Sequence, residues 1–94
     1  MADQHQRRTI YYAGHVQGVG FRYMARTIAQ TCRVTGIVQN LDDGRVLLVV
    51  EGAQPEIEGF LTRVDDEMGR YVRDRKVTTC PATGEFHDFH IRTG

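Results

Sequence analysis

One glycine-bearing segment concentrates hydrogen-bond donors at the point where a predicted strand gives way to a predicted helix. It reads Gly14-His15-Val16-Gln17-Gly18-Val19-Gly20-Phe21-Arg22. The first N–H groups of a helix have no intrahelical partner, and the aligned peptide dipoles add partial positive charge there. Arg22 contributes a planar fork of donors that matches phosphate oxygens two at a time. The segment therefore predicts binding of a tetrahedral anion, although its spacing is neither the Walker nor the Rossmann pattern.

Asn40 lies near the end of a predicted strand over residues 37–41, just before the predicted turn at residues 42–44. Asparagine is common at such positions for structural reasons alone. If the first two strands run in the same direction with the third between them, however, Asn40 and the segment that follows strand one meet at the same edge of the sheet. Asn40 is therefore the second candidate functional residue.

The spacing of apolar residues predicts the elements that hold these candidates. Strands are predicted over residues 8–13, 37–41, 45–51, 75–79 and 86–92, and helices over residues 21–33 and 55–68. The third strand is nearly all apolar and should be central, whereas the charged fourth strand should lie at an edge. This order predicts an α+β, ferredoxin-like split β-α-β sandwich (βαββαβ with a short extra strand), in which an antiparallel sheet carries both helices on one face. Residues 1–7 are expected to form a flexible tail before a single domain over residues 8–94.

Composition limits the classes of partner. The chain has 94 residues, with 12 Lys and Arg against 12 Asp and Glu, so it carries no net charge that would attract nucleic acid or an anionic membrane. It has no apolar run that could span a bilayer or predict a signal peptide. We expect a cytoplasmic protein without nucleic-acid or membrane partners. Cys32 and Cys80 should then be thiols, with a disulfide between them as the alternative.

The remaining polar residues show no nucleophile and no metal site. The four histidines, His5, His15, His87 and His90, form neither a nucleophile–base pattern nor metal-ligand spacing. Neither a Gly-x-Ser-x-Gly nor a His-Glu-x-x-His motif occurs. Positioning and electrostatic stabilisation are the chemistry that is left, and we expect no cofactor and no metal ion.

These residues also carry a resemblance, which covers residues 8–92. The segment from Gly14 to Arg22, together with Gly36-Ile37-Val38-Gln39-Asn40, resembles the acylphosphatase family. The resemblance implies that a small monomer hydrolyses the carboxyl–phosphate bond of acyl phosphates, with no metal ion and no phosphoenzyme. The family more often has arginine at position 15 and an aromatic residue at position 37, so His15 and Ile37 bear on the level of activity.

The same resemblance implies roles for individual residues. The backbone amides would bind the phosphoryl group together with Arg22, and they belong to Val16, Gln17, Gly18, Val19, Gly20 and Phe21. Asn40 would hold the attacking water, since a side-chain amide donates and accepts hydrogen bonds without adding negative charge. These roles suit the reaction, because phosphoryl transfer depends mainly on positioning and electrostatic stabilisation.

Two other classes of function fit the same order of elements. RNA-recognition modules share it and stack bases on sheet aromatics, for which the candidates are Tyr11, Tyr12, Phe86 and Phe89. The basic, glycine and aromatic run expected in the third strand of such a module is absent, however. The third interpretation is a domain that holds phosphate or another ligand without turning it over.

Overall fold

A computed structural model describes residues 5–93 as a five-stranded sheet that packs against two α-helices. The elements in chain order are β1 (His5–Gly14), α1 (Phe21–Ala29), β2 (Val34–Asn40), β3 (Val46–Ala53), α2 (Gln54–Met68), a 3₁₀ turn (Gly69–Tyr71), β4 (Val72–Pro81) and β5 (Phe89–Arg92). The strands lie in the order β4-β1-β3-β2-β5. The last residues of β1 and β2 therefore lie at the same end of the sheet.

The pairing of the strands confirms the predicted α+β, ferredoxin-like sandwich. β3 is antiparallel to both β1 and β2 and lies between them, and β4 forms an edge that is antiparallel to β1. β5 pairs in parallel with β2, so the sheet is mixed rather than wholly antiparallel. The reason lies in the path between β4 and β5. β4 ends at the end of the sheet where β1 and β2 begin, and the chain crosses the sheet there, so β5 starts beside the start of β2 and runs in the same direction.

One face of the sheet and both helices form the hydrophobic core. Alternate residues of β1 and β3, such as Tyr12 and Leu48, face the helices because successive side chains of a strand point to opposite faces. The ring of Tyr12 packs 4.8 Å from that of Phe21 on α1, and Phe60 on α2 packs 5.4 Å from Phe89 on β5. On α2 the buried residues recur at helical spacing and form one apolar face, which consists of Ile57, Phe60, Val64 and Met68. Within residues 5–93, neither helix is both long and apolar enough to cross a bilayer.

The first helix is shorter than predicted, because it ends at Ala29 rather than at residue 33. Thr31 explains the early end: its N–H and its hydroxyl both donate to the carbonyl of Ile28, at 2.9 and 2.7 Å. The N–H of Cys32 likewise donates to a carbonyl three residues back. Such bonds tighten the last turn and compete with the next helical bond. Cys32 thus lies beyond the helix on which it was expected, but it still packs against the core.

Both ends of the domain also differ from the prediction. β1 already begins at His5, so residues 5–7, which the sequence places in the tail, pair with β3 and β4 instead. The rest of the predicted tail, residues 1–4, lies outside the described residues. The last strand covers Phe89–Arg92 rather than residues 86–92. Phe89 and Ile91 pack against the core, whereas His87 precedes the strand and is exposed.

Residues 82–88 connect the two edges of the sheet across the face that carries no helix. Glu51 of β3 lies on that face and is only 4% exposed. Its carboxylate accepts hydrogen bonds from the N–H and hydroxyl of Thr83, at 3.1 and 2.9 Å, and from the N–H of Gly84, at 3.0 Å. The guanidinium of Arg7 lies 3.4 Å away. These four residues are called the Glu51 site below.

The carboxylate of the Glu51 site is held in its charged form. Burial alone would raise the pKa of Glu51, but the hydrogen bonds from Thr83 and Gly84 and the charge of Arg7 outweigh it. The pKa therefore lies below the ordinary value for a glutamate. Arg7 also donates to Thr83 and Glu85, so the same ion pair ties the crossing segment to β1.

Candidate active site

The loop between β1 and α1 is anchored at both ends and turns on glycines. Val16 and Phe21 are 1% and 2% exposed, so each end of the loop is held in the core. Gly18 and Gly20 have φ angles of 79° and 83°, in the left-handed region that side chains with a Cβ rarely adopt. Gly20 is the N-cap of α1, and its carbonyl accepts the first helical bond, from the N–H of Met24 at 3.0 Å. The loop therefore delivers the chain directly into the helix N-terminus.

A cavity of about 160 Å³ lies where this loop, the start of α1 and the end of β2 meet. It is lined by Val16, Gly18, Gly20, Phe21, Arg22, Tyr23 and Asn40. The structure thus brings Arg22 and Asn40 together with four of the six loop residues singled out in the sequence. Gln17 and Val19 do not line the cavity. The side chain of Gln17 points to the turn after β2, and Val19 packs against the core.

Arg22 brings a positive charge to this cavity. Within the described part of the chain, no carboxylate lies within ion-pair distance of its guanidinium, whereas Arg45 and Arg75 each have an aspartate partner. Its nearest described aromatic contact is the exposed ring of Tyr23, whose centroid lies 6.0 Å from its Cζ atom. Together with the N-terminus of α1, Arg22 creates a local positive potential in a chain of zero net charge.

Asn40 lines the cavity from the end of β2, whereas Arg22 lines it from the start of α1. It is the last residue of β2, it is half-buried, and it pairs with Val46 of β3. The turn that follows is the one predicted at residues 42–44. Both carboxylate oxygens of Asp43 accept hydrogen bonds from Arg45, one from its N–H and one from its guanidinium, and they hold the pKa of Asp43 below its ordinary value. Asn40 is thus carried by a closed hairpin, next to a turn that fixes where β2 ends.

Two residues at this site are missed by sequence reasoning. Tyr23 lines the cavity, but its type and position on α1 look like those of any solvated helix residue. Gln17 is singled out for its backbone amide only, yet its side chain donates to two carbonyls of the turn after β2. No local pattern could reveal that contact, because its partners lie 24 and 28 residues away.

A second, larger cavity of about 350 Å³ lies beside the first residues of the loop. Gly14, His15, Arg70 and Arg73 are among the residues that line it. The N–H of His15 donates to the carbonyl of Tyr71 at 2.9 Å, and a Cβ on Gly14 would lie 2.5 Å from that same oxygen. His15 therefore lies in this neighbouring cavity and not in the one that holds Arg22 and Asn40.

The other candidate groups do not gather into a site. In residues 5–93, no cluster of His, Cys, Asp and Glu side chains could hold a metal ion. Cys32 and Cys80 are both free thiols. His90 pairs with Asp88 at the surface, at 2.9 Å.

The aromatic residues that an RNA-recognition interpretation requires are not presented on an open sheet face. Tyr12 is 2% exposed and belongs to the core beneath the helices. Phe89 packs against Phe60, and Phe86 is half-buried beneath the guanidinium of Arg7 at 5.2 Å. The ring of Tyr11 is covered in the same way by Arg45, at 4.6 Å. Stacking of bases on these rings would require the covering groups to move.

The family model, the sequence relatives and the solved structure described next are all acylphosphatases. The family model described as Acylphosphatase matches residues 8–91. An acylphosphatase of Corynebacterium efficiens is 43% identical over 75 residues, which cover 80% of this chain and 76% of the relative. One of Arthrobacter sp. (strain FB24) is 41% identical over 92 residues, which cover 96% of this chain and 84% of the relative. The crystal structure of acylphosphatase from Bacillus subtilis matches with a TM-score of 0.83 and 33% identity, over 93% of this chain and 98% of that chain. The residues matched by the family model include the entire lining of the smaller cavity.

Proposed function

The chain belongs to the acylphosphatase family, and from that premise we propose how it hydrolyses acyl phosphates. The substrate's phosphoryl group binds in the smaller cavity, and a water molecule attacks the phosphorus atom directly. The products are a carboxylate and inorganic phosphate. The observation that carries the proposal is that one cavity is lined by Arg22, Asn40 and the glycines of the loop.

Binding of the phosphoryl group falls to the loop and to Arg22. We assign this role to the backbone amides of residues 16–21, and four of these six residues line the cavity. The N-terminus of α1 adds a partial positive charge equivalent to roughly half an elementary charge. The guanidinium of Arg22 has no carboxylate partner in residues 5–93, so it is available to two phosphoryl oxygens. Because these donors are fixed before the substrate arrives, they stabilise the charge that builds up in the transition state.

The chemical step uses Asn40 to place the water. Its side-chain amide holds the water oxygen in line with the bond between phosphorus and the carboxyl oxygen. The new bond forms from the water oxygen to phosphorus, and the bond to the carboxyl oxygen breaks with its electron pair leaving on the carboxylate. A phosphoryl oxygen accepts the proton of the water. A carboxylate is a good leaving group, so the step does not depend on a general acid from the protein.

We propose further, as the sequence leads us to expect, that the enzyme is a monomer, that it acts in the cytoplasm, and that it needs neither a metal ion nor a cofactor. Sedimentation of the purified protein at several concentrations tests the first expectation. Fractionation of the source cells tests the second, and assays in a chelator test the third.

The decisive experiment measures hydrolysis of acetyl phosphate by the purified protein in EDTA, beside the variants Arg22→Ala and Asn40→Ala. We expect metal-independent turnover in the wild type and its loss in both variants. Asn40→Ala should still bind inorganic phosphate, because Asn40 serves the water. Loss of phosphate binding in a folded Asn40→Ala protein would show that the water-holding role is wrong.

Two other results would contradict the proposal. Normal turnover by Arg22→Ala would remove Arg22 from the mechanism. No turnover in the wild type, with phosphate still bound in an Arg22-dependent way, would mean that the loop is a binding site without catalysis.

A further inference from the structure

The side chain of Gln17 extends from the loop between β1 and α1 to the turn that follows Asn40. Its Nε2 atom donates to the carbonyl oxygen of Leu41 at 2.8 Å and to that of Arg45 at 3.0 Å. Both partners are acceptors, so the nitrogen and not the oxygen of the amide must face them. The two N–H bonds of this one group are thus directed to the two ends of a single turn.

The turn does not depend on Gln17 for its own closure. The carbonyl of Leu41 also accepts the N–H of Gly44 at 3.2 Å, and the carbonyl of Arg45 also accepts the N–H of Leu41 at 2.8 Å. Asp43 adds two bonds to Arg45. Each carbonyl that Gln17 contacts therefore keeps a backbone donor when the glutamine side chain is removed.

Gln17 instead connects two elements that have no other hydrogen bond between them in the described part of the chain. The loop follows β1, Asn40 ends β2, and β3 lies between these strands. No backbone hydrogen bond joins the loop to the turn at residues 41–45 within residues 5–93. Leu41 is the next residue after Asn40 in the chain. The hydrogen bond from Gln17 to Leu41 is therefore one residue away from the side chain that is proposed to hold the water.

We propose that the side chain of Gln17 is a positioning residue that sets the spacing between the bound phosphoryl group and the water held by Asn40. This inference rests on the proposed function. In-line attack requires the water oxygen and phosphorus to be about 3–3.5 Å apart, and a misplacement of about 1 Å can lower the rate roughly 100-fold. A loop held only at its two buried ends would leave that spacing free to vary.

The first test compares Gln17→Met with Gln39→Met. Methionine has nearly the length of glutamine but no donor, and Gln39 is a half-buried neighbour of Asn40 on β2 with no side-chain hydrogen bond among those described. We expect kcat for acetyl phosphate to fall about 10- to 100-fold in Gln17→Met only, while the Kd for inorganic phosphate changes less than about threefold. The same kcat in both variants would overturn the inference. So would equal losses in kcat and in phosphate affinity, because Gln17 would then shape the loop rather than the spacing.

A charged variant gives a readout that a purely structural role would not move. In Gln17→Glu, a carboxylate would face two carbonyl oxygens and repel them at neutral pH. On acidification its carboxyl group gains a proton and can donate to one of the carbonyls, so kcat relative to the wild type should rise as the pH falls toward 5. A ratio to the wild type that does not change with pH would contradict a role for hydrogen-bond donation.

Carbonyl ¹³C chemical shifts separate this inference from the proposed function. The carbonyl carbons of Leu41 and Arg45, whose oxygens accept from Gln17, should shift in Gln17→Met and not in Gln39→Met, whether or not the protein turns over acyl phosphates. Such shifts in a protein without turnover would mean that the connection stands and the proposed function fails. Unchanged shifts in an active protein would mean that the connection is absent and the inference fails.

Discussion

Two places in this molecule bring the same kinds of donor together, one around a carboxylate of the chain and one around a cavity. In the Glu51 site, two backbone N–H groups, a hydroxyl and a guanidinium converge on a carboxylate of the chain. At the candidate active site, a loop of backbone donors, a helix N-terminus and the guanidinium of Arg22 surround a cavity. No carboxylate pairs with Arg22 among the described residues.

The difference between the two places shows how the same donors serve either stability or function. Hydrogen bonds to a charged group stabilise a fold by roughly 1.5–3 kcal/mol each. The Glu51 site uses that energy to fix the crossing segment over the sheet. In the proposed mechanism the loop uses its donors for the substrate. Its own conformation is held by the buried residues Val16 and Phe21 and by the side chain of Gln17.

The largest effect expected from this comparison is a separation of activity from stability between two arginines. Arg22→Ala should lower the turnover of acetyl phosphate about 10²- to 10³-fold, the usual loss on removal of a preorganised donor. Its free energy of unfolding should stay near that of the wild type. Arg7→Ala should do the reverse, with unchanged turnover per folded molecule and lower stability. Initial rates and urea unfolding of both variants measure this, and a stability loss in Arg22→Ala equal to that in Arg7→Ala would remove the distinction.

The next effect concerns the carboxylate itself. Glu51→Gln should lower the free energy of unfolding by about 2–4 kcal/mol, because the half-buried Arg7 loses one of its two carboxylate partners and three hydrogen bonds to Glu51 lose strength. Glu58→Gln is the matched control, since Glu58 pairs with Arg8 at an exposed position and should matter little. Chemical denaturation at pH 7 compares them. Equal effects of the two substitutions would show that the Glu51 site is no more important than a surface pair.

Added phosphate should stabilise only a protein whose open site is intact. At 100 times its Kd, a ligand that binds the folded state alone adds about 2.7 kcal/mol to the free energy of unfolding. Wild type and Glu51→Gln should therefore gain equally from phosphate, whereas Arg22→Ala should gain much less. Thermal unfolding at a series of phosphate concentrations, in a buffer without sulfate, measures this gain in stability. A gain that depends on Glu51 rather than on Arg22 would show that phosphate does not bind in the cavity lined by Arg22.

The smallest effect is the pH dependence of the Glu51 site. An acid whose pKa is lower in the folded state than in the unfolded state stabilises the fold above its unfolded pKa. The stability difference between wild type and Glu51→Gln should therefore be full at neutral pH. It should shrink as the pH falls below the ordinary glutamate value of 4.5. Unfolding curves at several pH values between neutrality and the acid limb measure it, and a difference that grew on acidification would have the wrong sign.

The same comparison shows which parts of the molecule its sequence could predict. The candidate active site is visible because its parts are local: glycines at a strand-to-helix junction, Arg22 directly after them, and Asn40 at a strand end. The order of strands then brings these parts to one edge. The end of α1 is harder to predict from the sequence. The apolar spacing continues to Cys32, but the side chain of Thr31 donates to the carbonyl of Ile28 and ends the helix earlier.

The Glu51 site could not be predicted, because its parts are distant and irregular. Thr83 and Gly84 lie 32 and 33 residues from Glu51 in a segment with neither helical nor strand spacing. In the sequence Glu51 looks like an ordinary polar residue at the end of a strand. Its burial follows from the path of the chain between two opposite edges, which becomes known only when the parallel pairing of β5 is known.

The measurement that tests the central claim most directly is the fate of the water oxygen. Acetyl phosphate is hydrolysed in H₂¹⁸O under single-turnover conditions, with wild-type protein in excess and EDTA present, and both products are analysed by mass spectrometry. Attack on a phosphoryl group held by the loop and Arg22, by a water held by Asn40, predicts ¹⁸O in phosphate and none in acetate. Label in acetate would show attack at the carbonyl carbon and would contradict the account.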